Sequence, residues 1–178
     1  MSLNLVYDRT EDDVASSAAI RSAHQTPGGY NWSGLTDTER AQLERGTLTY
    51  NTLNRVELAV KTLAAALTAA GYPVEVTPVL KGGKAEDREW QEGDIVRRAQ
   101  WATYLDNVQR LRDAYYTLAE TGELPAPGDK LNYTGANTIE KILADIDLLI
   151  DCMKASYRRC GTFRAGSNAA HLPLKGSI

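Results

Sequence analysis

Apolar residues recur at alternating steps of three and four in three stretches of the chain, the spacing of one face of an α-helix. The first stretch, residues 51–70, has apolar positions at Leu53, Val56, Val60, Leu63, Leu67 and Ala70. The second, residues 95–120, has them at Trp101, Tyr104 or Leu105, Val108, Leu111, Tyr115 and Leu118. The third, residues 135–159, is the most apolar, with Ile139, Ile142, Leu143, Ile146, Leu149, Ile150, Met153 and Tyr157. Since each stripe needs a partner to cover it, the pattern predicts a mainly α protein, a helical bundle of three long helices.

Local signals mark the ends of these helices. Asn51 or Thr52 is expected to cap the first helix, and Gly71 suits the left-handed conformation that ends it. Asp94 and Thr134 are the predicted caps of the second and third helices. The connections between the helices are long enough to reverse the direction of the chain.

Two shorter helices are predicted to flank the long ones. The first begins at Asp8 or Thr10 and runs to about His24, with acidic residues in its first turn. Thr36 and Glu39 have the spacing of a capping box, which predicts a second short helix to about residue 45.

The remaining segments are predicted to be extended. Residues 3–7 are apolar and suit a strand or a docking arm, and valines alternate with polar residues over 74–80. The predicted organisation is an N-terminal arm with a short helix (1–34), a helical bundle domain (35–161) and an extended C-terminal tail (162–178).

Two of the long helices begin with related sequences. Tyr50, Asn54 and Glu57 are spaced as Tyr133, Asn137 and Glu140 are, and Tyr104 with Asn107 is a fainter version. The Asn and Glu lie three apart, so they share a helix face beside the apolar stripe.

Two interpretations of this repeat differ in chemistry. A structural polar set would fix the helix register, with the arginines Arg55, Arg110 and Arg112 as candidate partners. A catalytic interpretation would make Glu57 and Glu140 a carboxylate pair for acid–base chemistry. Such chemistry also needs a pocket and a substrate-holding group, which the sequence does not indicate, so the structural interpretation is favoured.

Four aromatic residues stand in polar segments: Tyr30, Trp32, Trp90 and Phe163. Aromatic residues in such settings either cap the core or form a contact patch, and the sequence favours neither. Together these four residues are a candidate contact patch.

Composition excludes several classes of function. The net charge of −3 argues against a nucleic-acid-binding face, and no apolar run approaches the roughly 20 residues of a membrane span. The N-terminus has no signal-peptide pattern. Cys152 and Cys160 would lie about 12 Å apart on a helix, too far for a disulfide, which suits a reducing cytosol. No catalytic residue, cofactor or metal ligand is expected.

Four elements together resemble a helical module of phage and prophage structural proteins from Gram-positive gut bacteria. They are the helix start from Tyr50 to Glu57, Trp90 ahead of the second helix, residues 104–112, and residues 137–150. The resemblance covers about residues 35–165 and departs from the family in 74–90, at 50–52 and at 159–163.

This resemblance implies a non-enzymatic virion component of a tail, baseplate or appendage, made in the bacterial cytoplasm. Its implied partners are other phage structural proteins and copies of itself, without nucleic acid or membrane. A host-surface glycan is a conceivable partner that no residue pattern supports. The alternative is a soluble helical interaction or regulatory protein of prophage origin.

Overall fold

The computed structural model describes residues 3–81, 88–116, 118 and 121–160, apart from the side chains of 157–160. The predicted C-terminal tail of 162–178, with Phe163, lies outside the described residues. Within the described residues the chain is mainly helical, so the mainly α prediction is confirmed.

Five helices and one small hairpin make up this part of the chain. The helices are α1 (Glu11–Ala23), α2 (Asp37–Gly46), α3 (Tyr50–Ala69), α4 (Arg98–Ala114) and α5 (Tyr133–Cys160). Strands β1 (Gln25–Thr26) and β2 (Gly29–Tyr30) pair antiparallel, and a 3₁₀ turn follows at Trp32–Gly34.

The two short helices begin where the sequence predicts. Thr10 caps α1 and Thr36 caps α2, and the Asp13 and Glu39 carboxylates each bond back to the N–H group of the capping residue. These interactions join residues three apart in the sequence, so local sequence is sufficient to specify them.

The caps of the three long helices differ from the predictions. Thr49, rather than Asn51 or Thr52, accepts the N–H of Thr52 and caps α3. Asn132 accepts the N–H of Gly135, so α5 begins ahead of the predicted cap at Thr134.

Helix α4 is shorter at both ends than the predicted helix over 95–120. Asp94 is not its cap, because its carboxylate binds the Arg88 guanidinium and the N–H of Gln91 instead. At the other end Tyr115 leaves the helix, and its ring packs edge-on against Tyr72 at 4.8 Å.

The three long helices all run in the same direction. Near the start of α3, Glu57 binds Lys81, and the neighbouring carbonyl of Leu80 accepts from Gln100 at the start of α4. Beyond the ends of both helices, Tyr72 meets Tyr115. Helices α3 and α4 are therefore parallel.

Helix α5 follows the same direction. Arg55, early in α3, binds Glu140, early in α5. Arg112, late in α4, donates to the carbonyl of Thr121, and the Thr121 hydroxyl donates to Asp145, farther along α5. Since the helices are parallel, the connections have to return the full length of a helix, which explains why they are long.

The apolar core lies between these three helices. The predicted stripes supply most of it, and Trp90 and Val79 from the returning connection complete it. Residues 74–80 return as an irregular segment that takes no part in the sheet. Val79 is the residue of this segment that is buried in the core.

Helices α1 and α2 pack closely on each other as a hairpin. The Ser17 hydroxyl is fully buried and donates to the carbonyl of Gln42 at 2.8 Å. A Cβ atom at Gly46 would lie 2.2 Å from the backbone oxygen of Asp13, so this approach requires glycine. The predicted division at residue 34 falls inside this hairpin.

Candidate functional site

Three asparagines, one on each long helix, hold a non-helical segment of the chain by its backbone. In each case the side-chain oxygen accepts the N–H of one residue and the side-chain nitrogen donates to the C=O of that same residue. The pairs are Asn54 with Trp90, Asn107 with Thr77, and Asn137 with Arg9. We call these pairs the asparagine brackets.

The bracket on α3 fixes Trp90. The Trp90 N–H lies 2.7 Å from Asn54 Oδ1, and Asn54 Nδ2 lies 2.9 Å from the Trp90 oxygen. One turn further on, Glu57 accepts the Trp90 indole N–H at 2.6 Å. Asn54 and Glu57 therefore hold the backbone and the side chain of one buried tryptophan.

Lys81 completes this group. Its ammonium is 2.5 Å from the second oxygen of Glu57 and 5.5 Å from the centre of the Trp90 ring, and the residue is only 1% exposed. A buried lysine needs such a partner, because an unpaired buried charge is strongly destabilising.

The bracket on α5 fixes the N-terminal arm, residues 3–9. The Arg9 N–H lies 3.1 Å from Asn137 Oδ1, and Asn137 Nδ2 lies 2.8 Å from the Arg9 oxygen. Glu140 accepts from the Arg9 guanidinium at 2.5 Å and from the N–H of Val6 at 2.6 Å. Arg55 adds two further bonds to Glu140, at 2.9 and 3.1 Å. A 1%-exposed carboxylate is thereby bound by two guanidinium groups and one backbone N–H.

The bracket on α4 fixes the returning connection. Asn107 bonds the N–H and the C=O of Thr77 at 2.8 Å each. An arginine, Arg110, stands where the other two helices carry glutamate, and it binds Asp106 and the carbonyl of Glu75. This substitution explains why the repeat is fainter in α4.

The six residues of the predicted polar set occupy three places in the fold. Asn54 and Glu57 meet at Trp90, whereas Asn137, Glu140 and Arg55 meet at the arm. Arg112 instead donates to the carbonyls of Thr121 and Gly122 in the connection before α5.

Sequence reasoning did not identify Arg9, Lys81 or Thr77 as members of the set. The repeat itself shows which helix positions bind, but the bound segments have no common sequence, because a bracket recognises backbone atoms. Arg9 and Lys81 are single cations without a distinguishing pattern.

The carboxylates of Glu57 and Glu140 do not form a common acid–base site. Each has both oxygens bonded to N–H or ammonium donors of different segments. Glu140 accepts four such bonds, enough to occupy its lone pairs, and each oxygen of Glu57 accepts one, so the two carboxylates bind separate neighbouring segments.

Both carboxylates affect the ionisation of the buried Tyr104. Burial raises the pKa of Tyr104 well above its usual value, and the negative charges of Glu140 and Glu57 add to this effect. The tyrosine is therefore held in its neutral form against the polar sets of α3 and α5.

The candidate contact patch divides between core and surface. Trp90 is 2% exposed and belongs to the core, so its assignment to a contact patch was wrong. It is buried because Asn54 bonds to its backbone and Glu57 accepts its indole N–H. The rings of Tyr30 and Trp32 contact each other, with centroids 4.4 Å apart and planes tilted by 59°, and Trp32 remains half exposed.

Tyr30 and Trp32 line a cleft of about 480 Å³ beside the start of α3. Leu48 and Tyr50 line the same cleft, and both are large exposed hydrophobic residues. The cleft separates the α1–α2 hairpin from the start of α3 and from the chain around Gly93.

Other candidate chemistries have no support among the residues that the structure describes. No group of histidine, cysteine and acidic side chains there suits a metal ion. Among the described helices, none is both long and apolar enough to cross a membrane. His24 contacts Glu39 at 3.1 Å, and Cys152 is an exposed thiol on α5.

Comparisons with protein-family models, with curated proteins and with solved structures find no match to this chain.

Proposed function

We propose that the chain is a non-enzymatic structural protein of a phage particle. It is a tail, baseplate or appendage component, or an adaptor, that assembles with other virion subunits and with copies of itself. Made in the bacterial cytoplasm, it is incorporated into the virion. The single observation that carries this proposal is the use of the buried polar groups to hold extended chain on a helical body.

The brackets support an assembly role over a catalytic one. Asn54, Asn107 and Asn137 bind backbone, and Glu57 and Glu140 neutralise cations of neighbouring segments. In the described part of the chain, the chemistry of these five side chains fixes the shape of the fold.

In this proposal the three long helices form the rigid bundle, and the terminal segments and connections provide the contacts. Large apolar side chains remain exposed around that body, including Trp32, Leu58 and Leu148. In this proposal, neighbouring subunits cover these side chains.

The second candidate is a soluble helical interaction or regulatory protein of prophage origin. The same body and the same exposed residues support it, since brackets stabilise any module that carries extended segments. Location separates the two candidates, because only a structural component is incorporated into particles.

The decisive experiment is mass spectrometry of density-purified particles from a lysogen that encodes the chain. We expect the protein in the particle fraction at a constant ratio to the major tail proteins across the density peak. A known non-virion prophage protein from the same lysate is the matched control. Enrichment no greater than that of the control would contradict the proposal and favour the regulatory candidate.

A further inference from the structure

The N-terminal arm and the α1–α2 hairpin form one unit that is joined to the long helices by a short linker. Thr47 and Thr49 are both extended, with φ/ψ of −133°/153° and −106°/165°, and only Leu48 lies between them. The unit is residues 3–46 and the linker is residues 47–49.

The unit holds itself together through interactions of its own. Arg45 of α2 binds Asp8 of the arm and Asp13 of α1, and Gln42 also donates to Asp13. Arm and hairpin are therefore expected to move together when the linker changes its conformation.

A compact polar dock holds the arm on the long helices. Asn137 and Glu140 of α5 and Arg55 of α3 supply it, and Arg9 with the N–H of Val6 fills it. None of these bonds depends on whether the arm and the dock belong to the same chain.

The hairpin itself does not close fully onto the long helices. The 480 Å³ cleft lies on one side, and a second cavity of about 180 Å³ lies between Val14 and Arg45 of the hairpin and Ala136 of α5. Leu48 is 45% exposed in the linker. Opening the linker separates Leu3 and Leu5 of the arm from the core of the long helices, and the exchanged form would make the same apolar contacts with the second copy.

We propose that the dock accepts the arm of a second copy of this chain, so that residues 3–46 exchange between subunits. The partner's Arg9 would then bind Asn137 and Glu140 in trans. Closed and exchanged forms make the same dock contacts, so the linker and the protein concentration decide between them. This inference rests on the proposed assembly function and specifies the partner and the contact.

Photo-crosslinking from position 7 tests the exchange. Tyr7 is about half exposed and its ring lies 5.8 Å from the ammonium of Lys141 on α5, beside the dock. A benzophenone amino acid at position 7 of the full chain would react with α5 of whichever chain it contacts. We expect covalent dimers with the cross-link in residues 137–145, at a yield that rises with concentration.

Isotope mixing identifies the donor and acceptor chains. When unlabelled photo-reactive chain is mixed with ¹⁵N-labelled chain, exchange predicts cross-linked peptides that carry one label each. The same amino acid at the 80%-exposed Ile95 measures random encounter. Asn137→Ala removes two hydrogen bonds to the arm in the closed and the exchanged form alike, so it should lower the cross-linking of position 7 to α5 about tenfold both within and between chains, without changing the yield from position 95.

Cross-links confined within single chains at every concentration would overturn the exchange. If light scattering then still shows an oligomer, assembly uses another surface and the proposed function is unaffected. Particle mass spectrometry tests that function without reference to the arm.

Discussion

The bracket on α4 provides a quantitative test, through Asn107→Ala. Asn107 is 4% exposed, and its amide makes two bonds of 2.8 Å to a single residue, Thr77. The substitution removes both bonds and leaves the helix intact, because alanine is the best helix former.

The expected loss in the free energy of unfolding depends on whether the groups that the substitution leaves unpaired are buried or exposed. A net hydrogen bond contributes about 0.5–1.5 kcal/mol, and each buried group left unpaired costs about 1–3 kcal/mol. Thr77 is exposed, so water can solvate its freed N–H and C=O. We therefore expect a loss of about 2 kcal/mol in the free energy of unfolding. Asn107→Asp retains the acceptor but places a carboxylate oxygen against the Thr77 carbonyl, so it should lose at least as much.

Urea denaturation followed by circular dichroism measures this loss, with Gln109→Ala as the matched control on the same helix. Gln109 donates to Asp113 on the surface, its one hydrogen-bond partner among the described residues, and its substitution should change stability by less than about 0.5 kcal/mol. Hydrogen exchange gives a local measurement, because the Thr77 amide should be protected in the wild type and exchange freely in Asn107→Ala. A loss of under 0.5 kcal/mol, or an unprotected Thr77 amide in the wild type, would refute the bracket as a stabilising feature.

Three further perturbations test other parts of the fold. Ile146→Ala, in the core of α5, should destabilise by about 2–5 kcal/mol in urea melts, whereas Leu148→Ala on the exposed face should cost under about 1 kcal/mol; equal losses would show that α5 is not central. Bonds from the Thr36 N–H and hydroxyl, then from His24, lower the pKa of Glu39 from 4.5 to about 2. Its contribution to stability is present above about pH 4.5 and is lost as the pH falls toward 2, so thermal melts of Glu39→Gln should depend less on pH over that range. The buried Tyr30 hydroxyl has no hydrogen-bond partner among the described residues, so Tyr30→Phe should not lower the melting temperature. A marked drop would indicate a missing partner.

The sequence alone determined the features that depend on short separations. Helical spacing identified the buried stripes of α3, α4 and α5. The capping box of Thr36 and Glu39 located the start of α2, and Thr10 was one of the two caps predicted for α1. Such signals are reliable because the interacting residues lie within one turn of each other. The repeat of Asn and Glu was also visible, since it occupies equivalent positions of one helix face.

The tertiary structure decided what those residues bind and how the helices are arranged. A stripe shows that a helix has a partner without showing its direction, and here the long connections return so that all three long helices are parallel. Trp90 became a core residue because Asn54 and Glu57 lie opposite it, 36 and 33 positions away in the chain. Arg9 reaches Glu140 across 131 positions. The bound partners contribute backbone atoms or single cations, which every chain contains in many places, so only the folded arrangement selects among them.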